Sequence, residues 1–288
     1  MASARARATF LFAARDQPGL VARLATYFYE LGLNIVDGGD HVEQSDPASA
    51  RFFSRQVVEL DDSRHTRAAI EGGFAALTAS LEGTWSVGYS DRASRVAIFV
   101  TKESACLYDL VLRQRQGELP CEIPLIIGNH ATLEDVATSF RIPFFLLPIT
   151  PDTKRAQEDR MLDLLARHHI DLVVLARYMQ VLTDEFLRAA PPVINIHHGF
   201  LPAFQGARPY HQARERGVKI IGATAHYATS ELDEGPIIEQ DVARVSHQMS
   251  VDELVRVGRD VERNVLSRAV RAHLERRIVV HRRQTIVL

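Results

Sequence analysis

After residue 95 every strand candidate is an unbroken apolar run, at residues 96–100, 123–127, 144–147 and 172–175, with helical segments such as 105–114 and 155–168 between them. A strand with no polar face must be covered on both sides, and alternating helices supply that cover, so this stretch predicts a parallel, doubly wound α/β sheet. Residues 1–90 follow another grammar. Residues 9–14 read as a strand, Arg15-Asp16-Gln17-Pro18-Gly19 breaks it, and 20–31 place apolar side chains at helical spacing. Strand candidates 34–41 and 52–60, joined by a polar loop containing Asp46-Pro47, lead to a helical segment 66–81 and a last strand 84–89. The order βαββαβ predicts a ferredoxin-like sandwich with helices on one face of an antiparallel sheet. Ser90-Asp91-Arg92-Ala93-Ser94 is polar and small, as an exposed linker requires, which gives a small domain over 7–89, a linker at 90–94 and a larger domain over 95–288.

Composition narrows the function classes. With 288 residues the chain has the length of about two domains, and Lys+Arg 34 against Asp+Glu 36 leaves a net charge of -2. Such a balance offers no general field for nucleic acid or an anionic membrane, so neither is an expected partner. Cys106 and Cys121 are too far apart for a C-x-x-C pair and too few for a disulfide framework, which fits a reducing, cytoplasmic setting. No stretch approaches the ~20 apolar residues of a membrane span, and the run 9–14 is too short for a signal sequence.

The chemistry concentrates in Asn195-Ile196-His197-His198-Gly199-Phe200-Leu201-Pro202, which follows the apolar Val193-Ile194. In an extended segment residues two apart share a side, so Asn195 and His197 project together while Ile196 packs the other way. At the C-terminal end of a parallel strand they would open into the crevice where such sheets bind ligands. Downstream lie Gly222-Ala223-Thr224-Ala225-His226-Tyr227 and Glu231-Leu232-Asp233-Glu234-Gly235-Pro236. Gly235 and Pro236 shape a loop able to aim the Asp233 carboxylate at His197 and fix its ring. An amide donor, an imidazole and a carboxylate are the parts needed for attack on a carbonyl. His197, His198, His211 and His226 also fall close in sequence, but adjacent histidines in a strand face opposite ways and no H-E-x-x-H or Cys set accompanies them, so no metal is expected.

Asn195-Ile196-His197, Leu201-Pro202-Ala203-Phe204, Gly206-Ala207, Gly222-Ala223-Thr224-Ala225-His226 and Asp233-Glu234-Gly235-Pro236 resemble, in order and spacing, the folate-dependent formyltransferase catalytic domain. The longer stretch 194–204, with Gly206-Ala207-Arg208-Pro209-Tyr210-His211-Gln212-Ala213 and Cys106-Leu107-Tyr108-Asp109-Leu110, is similar to the 10-formyltetrahydrofolate deformylases among them. Arg15-Asp16-Gln17-Pro18-Gly19-Leu20 and Asn34-Ile35-Val36-Asp37 resemble the ACT domain of those enzymes, so the likeness covers nearly the whole chain.

The resemblance implies that Asn195, His197 and Asp233 form the catalytic triad, and that 10-formyltetrahydrofolate and water are the reactants, giving formate and tetrahydrofolate. Asn195 and a protonated His197 would donate to the oxygen that gathers charge as water attacks. Asp233 would hold His197 and position the water or relay its proton. The folate is substrate, and no further cofactor is implied. Tyr178, Met179, Gln180, Val181 and Leu182, following Arg177, match the family's pterin pocket together with the backbone of the loop around Asp233 and Gly235, and His226 stands behind the triad. Two residues depart from the deformylase pattern: Gly199, where Ser is usual, and Ala105, where His is usual. Gly199 keeps open formyl transfer to an amine, and Ala105 bears on a polar contact near the folate or formyl site. A non-catalytic folate or amino-acid sensor is a third reading, which the intact triad disfavours. The ACT likeness implies a homo-oligomer with amino-acid effectors, methionine and glycine, near Asp16, Gln17, Pro18, Gly19 and Asn34. Oligomerisation alone is the alternative role of this domain.

Overall fold

The computed structural model describes residues 6–44, 50–61, 64–203 and 209–288. The expected Asp46-Pro47 loop, and Phe204, Gly206, Ala207 and Arg208 of the motif, lie outside the described residues. The chain divides into two units, one of residues up to Ala93 with Arg276–His281 and Ile286–Leu288, the other of Ser94–Glu275 with Arg282–Thr285.

In the first unit β1 (Arg7–Arg15), β2 (Ile35–Glu43), β3 (Arg51–Glu59) and β4 (Thr84–Tyr89) form an antiparallel sheet in the order β2-β3-β1-β4, with helices α1 (Leu20–Glu30) and α2 (Arg67–Ala79). Alternate residues of β1, namely Ala8, Phe10, Phe12 and Ala14, are buried with Leu20, Leu24 and Phe28 of α1 and Ile70 and Phe74 of α2. Phe10 lies 5.2 Å from Phe28 and 4.7 Å from Phe74, ring centre to ring centre. Each buried phenyl contributes about 1.5–3 kcal/mol, so period-2 and period-3.6 patterns meet in one aromatic core. This is the ferredoxin-like sandwich. Ser90 is drawn into it: its backbone N–H donates to the Arg7 carbonyl, and its hydroxyl accepts from the Arg7 N–H at 2.8 Å.

The second unit is built on β5 (Ser94–Val100), β6 (Cys121–Gly128), β7 (Phe144–Leu146), β8 (Leu172–Leu175), β9 (Val193–His197), β10 (Ile220–Tyr227) and β11 (Ile237–Arg244), in the order β11-β10-β9-β8-β5-β6-β7. Strands β5 to β9 run parallel, in keeping with the apolar runs at their centres. β10 is antiparallel to both β9 and β11. The helices are α3 (Ala105–Arg115), α4 (Glu134–Ser139), α5 (Lys154–Arg167), α6 (Asp184–Ala189), α7 (Pro209–Glu215) and α8 (Val251–Leu274). α8 begins with a capping box between Ser250 and Glu253. The chain closes with a two-stranded ribbon, β12 (Ile278–His281) and β13 (Gln284–Val287). A larger domain reaching to residue 288 was the expectation; instead 276–281 and 286–288 group with the first unit. Chain order passes from β5 out to β6 and β7, then returns to β8 on the other side of β5. The strand order therefore reverses between β5 and β8, where open α/β sheets form ligand crevices. No helix among the described residues is long and apolar enough to cross a membrane.

Candidate active site

β9 places Asn195 and His197 on one side, with Ile196 buried on the other. Its antiparallel neighbour sets His226 opposite Asn195 and Thr224 opposite His197. The hairpin from β10 to β11 is closed at its base by the Tyr227 N–H donating to the Pro236 carbonyl at 3.0 Å, and its loop carries Asp233. Asp233 has a φ of 59°, a left-handed conformation that Asp and Asn adopt more readily than most residues. Gly235 is required by close approach, since a Cβ there would stand 1.7 Å from the Tyr227 carbonyl oxygen. This turn brings Asp233 Oδ2 to 3.3 Å from His197 Nδ1, with the two side chains only 8% and 5% exposed.

His226 orders the other half of the site. Its Nδ1 lies 3.0 Å from the Tyr227 carbonyl, which can only accept, so Nδ1 carries the proton. Nε2 of the neutral ring then accepts from Asn195 Nδ2 at 3.2 Å, which fixes the orientation of the Asn195 amide. Burial holds the His226 imidazolium below its ordinary range, against the opposing effects of the Tyr227 carbonyl and Asp233, so the neutral form is favoured. Burial pushes the Asp233 carboxyl up, but the hydrogen bond from His197 and its electrostatic attraction outweigh it, and the net direction is down. Asp233 is thus a carboxylate at neutral pH. Among the described residues no group of three His, Cys, Asp or Glu side chains is arranged to hold a metal ion.

The turn after His197 is held by a residue to which the sequence assigned no role. The buried Thr224 hydroxyl accepts from the Leu201 N–H at 3.1 Å and from Gln240 Nε2 at 2.9 Å, and donates to the Gly199 carbonyl at 2.9 Å. Gln240 also donates to the Leu201 carbonyl at 3.0 Å. Gly199 is therefore anchored through its carbonyl, a contact that needs no side chain. Ala105, the other departure, is the first residue of α3.

A cavity of about 250 Å³ opens beside the triad, lined by Asn195, His197, His226 and Asp233, by residues 228–232, and by Arg177, Tyr178, Met179, Gln180, Val181 and Leu182. The last segment is the loop after β8, and it divides its labour. Tyr178 and Leu182 are packed in the core, Tyr178 edge-on to Phe99. Met179 and Val181 are 56% and 53% exposed, an apolar edge suited to a flat aromatic ring. The Met179 N–H donates to Thr101 Oγ1 at 2.9 Å, and buried Glu158 accepts from the Thr183 N–H, tying both ends of the loop down. Gly235 shapes the hairpin without lining the cavity. In the first unit Asp16, Gln17 and Gly19 share a hollow with Val42 and Phe52, while Pro18 and Asn34 do not line it. The Asn34 carbonyl accepts from Glu59 N–H instead.

Residues 94–270 match the formyl transferase family model. The chain is 52% identical to a formyltetrahydrofolate deformylase of Synechocystis over 280 residues, 97% of this chain and 98% of that protein. The crystal structure of a formyltetrahydrofolate deformylase from Pseudomonas syringae superimposes with a TM-score of 0.94 at 41% identity, covering 100% of this chain and 96% of that one. A glycinamide ribonucleotide transformylase from Symbiobacterium toebii covers only 68% of this chain, with 94% of its own length, at 29% identity and a TM-score of 0.64. The transformylase thus shares the catalytic fold, whereas the deformylases match both units, and on that full-length likeness the chain belongs to the formyltetrahydrofolate deformylase family.

Proposed function

We propose that the chain hydrolyses 10-formyltetrahydrofolate to formate and tetrahydrofolate, acting on a linear amide C–N bond. The single observation that carries this is the His197–Asp233 pair at 3.3 Å with Asn195 oriented beside it at the wall of the cavity. The pterin ring lies against the apolar edge of Met179 and Val181, which leaves the formyl group beside the triad. Water adds to the formyl carbon, and the planar centre becomes tetrahedral. Its oxygen gathers negative charge, which the second Asn195 Nδ2 proton and a proton on the ring edge of His197 remote from Asp233 meet. Donors so aimed are worth about 3–4 kcal/mol each. Asp233 balances the charge on His197 and orients the water, and N10 takes a proton as the C–N bond breaks. The folate is substrate throughout, and the steps call on no metal or redox group.

Formyl transfer to an amine uses the same parts, so the deciding assay omits the amine. Incubation with 10-formyltetrahydrofolate in buffer should release formate and tetrahydrofolate in equal amounts. Turnover that begins only when an amine is added would establish transfer instead, and folate binding with no turnover under either condition would establish a sensor. The first unit serves as an ACT regulatory domain of a cytoplasmic homo-oligomer. Gly19, with a φ of 90°, presents backbone at the start of α1, where an amino-acid carboxylate meets the positive end of the helix. Titration of the whole protein with methionine and with glycine should give binding and opposite changes in hydrolysis rate. Binding of neither, with an intact oligomer, would leave assembly as the domain's role. Such control fits a reaction that feeds formate and one-carbon units to purine synthesis.

A further inference from the structure

The loop that carries Asp233 spans residues 228–236, between Tyr227, the last residue of β10, and Ile237, the first of β11. Both of these ends are gripped by the C-terminal segment of the chain. The Tyr227 hydroxyl is hydrogen-bonded to Nδ1 of His273, in the last turn of α8, at 2.8 Å, and the two rings meet edge-on with centres 5.8 Å apart. The Thr285 hydroxyl of β13 donates to the Ile237 carbonyl at 2.5 Å. Arg283, two residues earlier and so on the same side of an extended chain, donates to Glu234, the residue after Asp233, at 2.5 Å. All of these residues belong to the second unit.

The three contacts are unequal. Arg283 and Glu234 are 73% and 43% exposed, and a pair so open to water holds little. The bonds at Tyr227 and Thr285 are part-buried. β11 is an edge strand, so some of its backbone must find partners outside the sheet, as the Ile237 carbonyl does in Thr285. Tyr227 is also where the two halves of the catalytic site join. Its N–H closes the hairpin on the Pro236 carbonyl, and its own carbonyl holds His226 Nδ1 and, through that ring, the Asn195 amide. Asp233 in turn reaches His197 Nδ1 at 3.3 Å and His226 Nε2 at 3.8 Å.

We propose that His273 and Thr285 are positioning residues for the reaction, a clasp that sets Asp233 and Asn195 against His197 by fixing the two ends of this hairpin. This deepens the hydrolase reading above and rests on it. Misplacing a catalytic group by ~1 Å costs roughly 10²-fold in rate, so release of the hairpin should register in kcat. KM should not follow, since the contact proposed for the folate ring is with the loop after β8.

The test measures kcat and KM of the whole protein for Tyr227→Phe, Thr285→Val, their double variant, Thr285→Ser and His273→Phe, each at a temperature where melts show it folded. Tyr227→Phe and Thr285→Val should each lower kcat about 3–10-fold, the worth of one hydrogen bond. The double variant should lose roughly 10²-fold, with KM within about twofold of wild type. Thr285→Ser keeps the hydroxyl and should keep the rate, and Tyr227→Phe should add nothing to His273→Phe, because the two remove the same bond. The ¹⁵N resonance of His197 Nδ1 should also move in the double variant, which reads the clasp without turnover. A double variant with kcat near wild type, a rise in KM alone, Thr285→Ser as slow as Thr285→Val, or an unmoved His197 resonance would overturn the proposal. If wild type releases no formate until an amine is supplied, the hydrolase reading fails, while the same variants compared in the amine-dependent reaction, and the resonance, still decide the clasp.

Discussion

Replacing Asp233 by Asn removes one charge and leaves the turn able to form, because Asn accepts the left-handed φ of 59° at this position as readily as Asp. What is lost is the attraction to His197 when that ring carries a proton during turnover. Two unit charges 3.3 Å apart attract by about 5 kcal/mol at an effective dielectric constant of ~20, the value suited to protein sites. Asn retains an oxygen able to accept from Nδ1 but no charge, so most of that attraction is lost from the transition state. At 1.36 kcal/mol per decade the hydrolysis rate should fall roughly a thousand- to ten-thousand-fold. Folate affinity should change little, since the contact proposed for the ring is with the loop after β8. Single-turnover release of tetrahydrofolate, with folate binding measured separately, checks both halves. A slowing of less than tenfold with unchanged binding would show that the Asp233 charge plays no part in the rate-limiting step.

The same carboxylate gives stability a pH dependence. Its folded value is depressed, so its contribution is present above the ordinary unfolded value of ~4 and is lost as pH falls through the lower folded value. Denaturant melts should show wild type more stable than Asp233→Asn from about pH 5 upward, with the gap closing below about pH 4; a gap that persists in acid contradicts this. Gly235→Ala drives a Cβ into the Tyr227 carbonyl, and should cost about 1–3 kcal/mol in thermal or denaturant melts while abolishing turnover as the hairpin shifts. Thr224→Val orphans the Leu201 N–H and should cost about 1–3 kcal/mol, with Thr224→Ser restoring most of it in the same melts.

Both layers of the fold were legible because burial on one face and on two faces write different patterns: Phe10 and Phe12 alternate with less buried neighbours in β1, whereas every residue of β8 is apolar. Strand direction leaves no such mark. β10 has the same apolar character as a parallel strand, so its reversal, which allows the hairpin carrying Asp233, appears only in the register. The return of Arg276–His281 to the first unit was invisible for a related reason, since long-range partners are not encoded in local spacing. Asn195, His197 and Asp233 stood out as polar residues next to apolar strands and turn residues. Glu262 did not, because a buried glutamate inside the amphipathic α8 is spelled like the exposed ones around it. Gln240 was hidden in the same way within the edge strand β11.

The Thr224 hydroxyl bears on where the reacting water can reside. A hydroxyl has one proton to give and two lone pairs to share, and here Gly199, Leu201 and Gln240 occupy all three. Although it sits directly across from His197, it has no valence left for solvent and cannot steer a nucleophile. In the proposed reaction the attacking water is therefore not held by Thr224, and the side left to supply it is the cavity, between the Asp233 hairpin and the loop after β8.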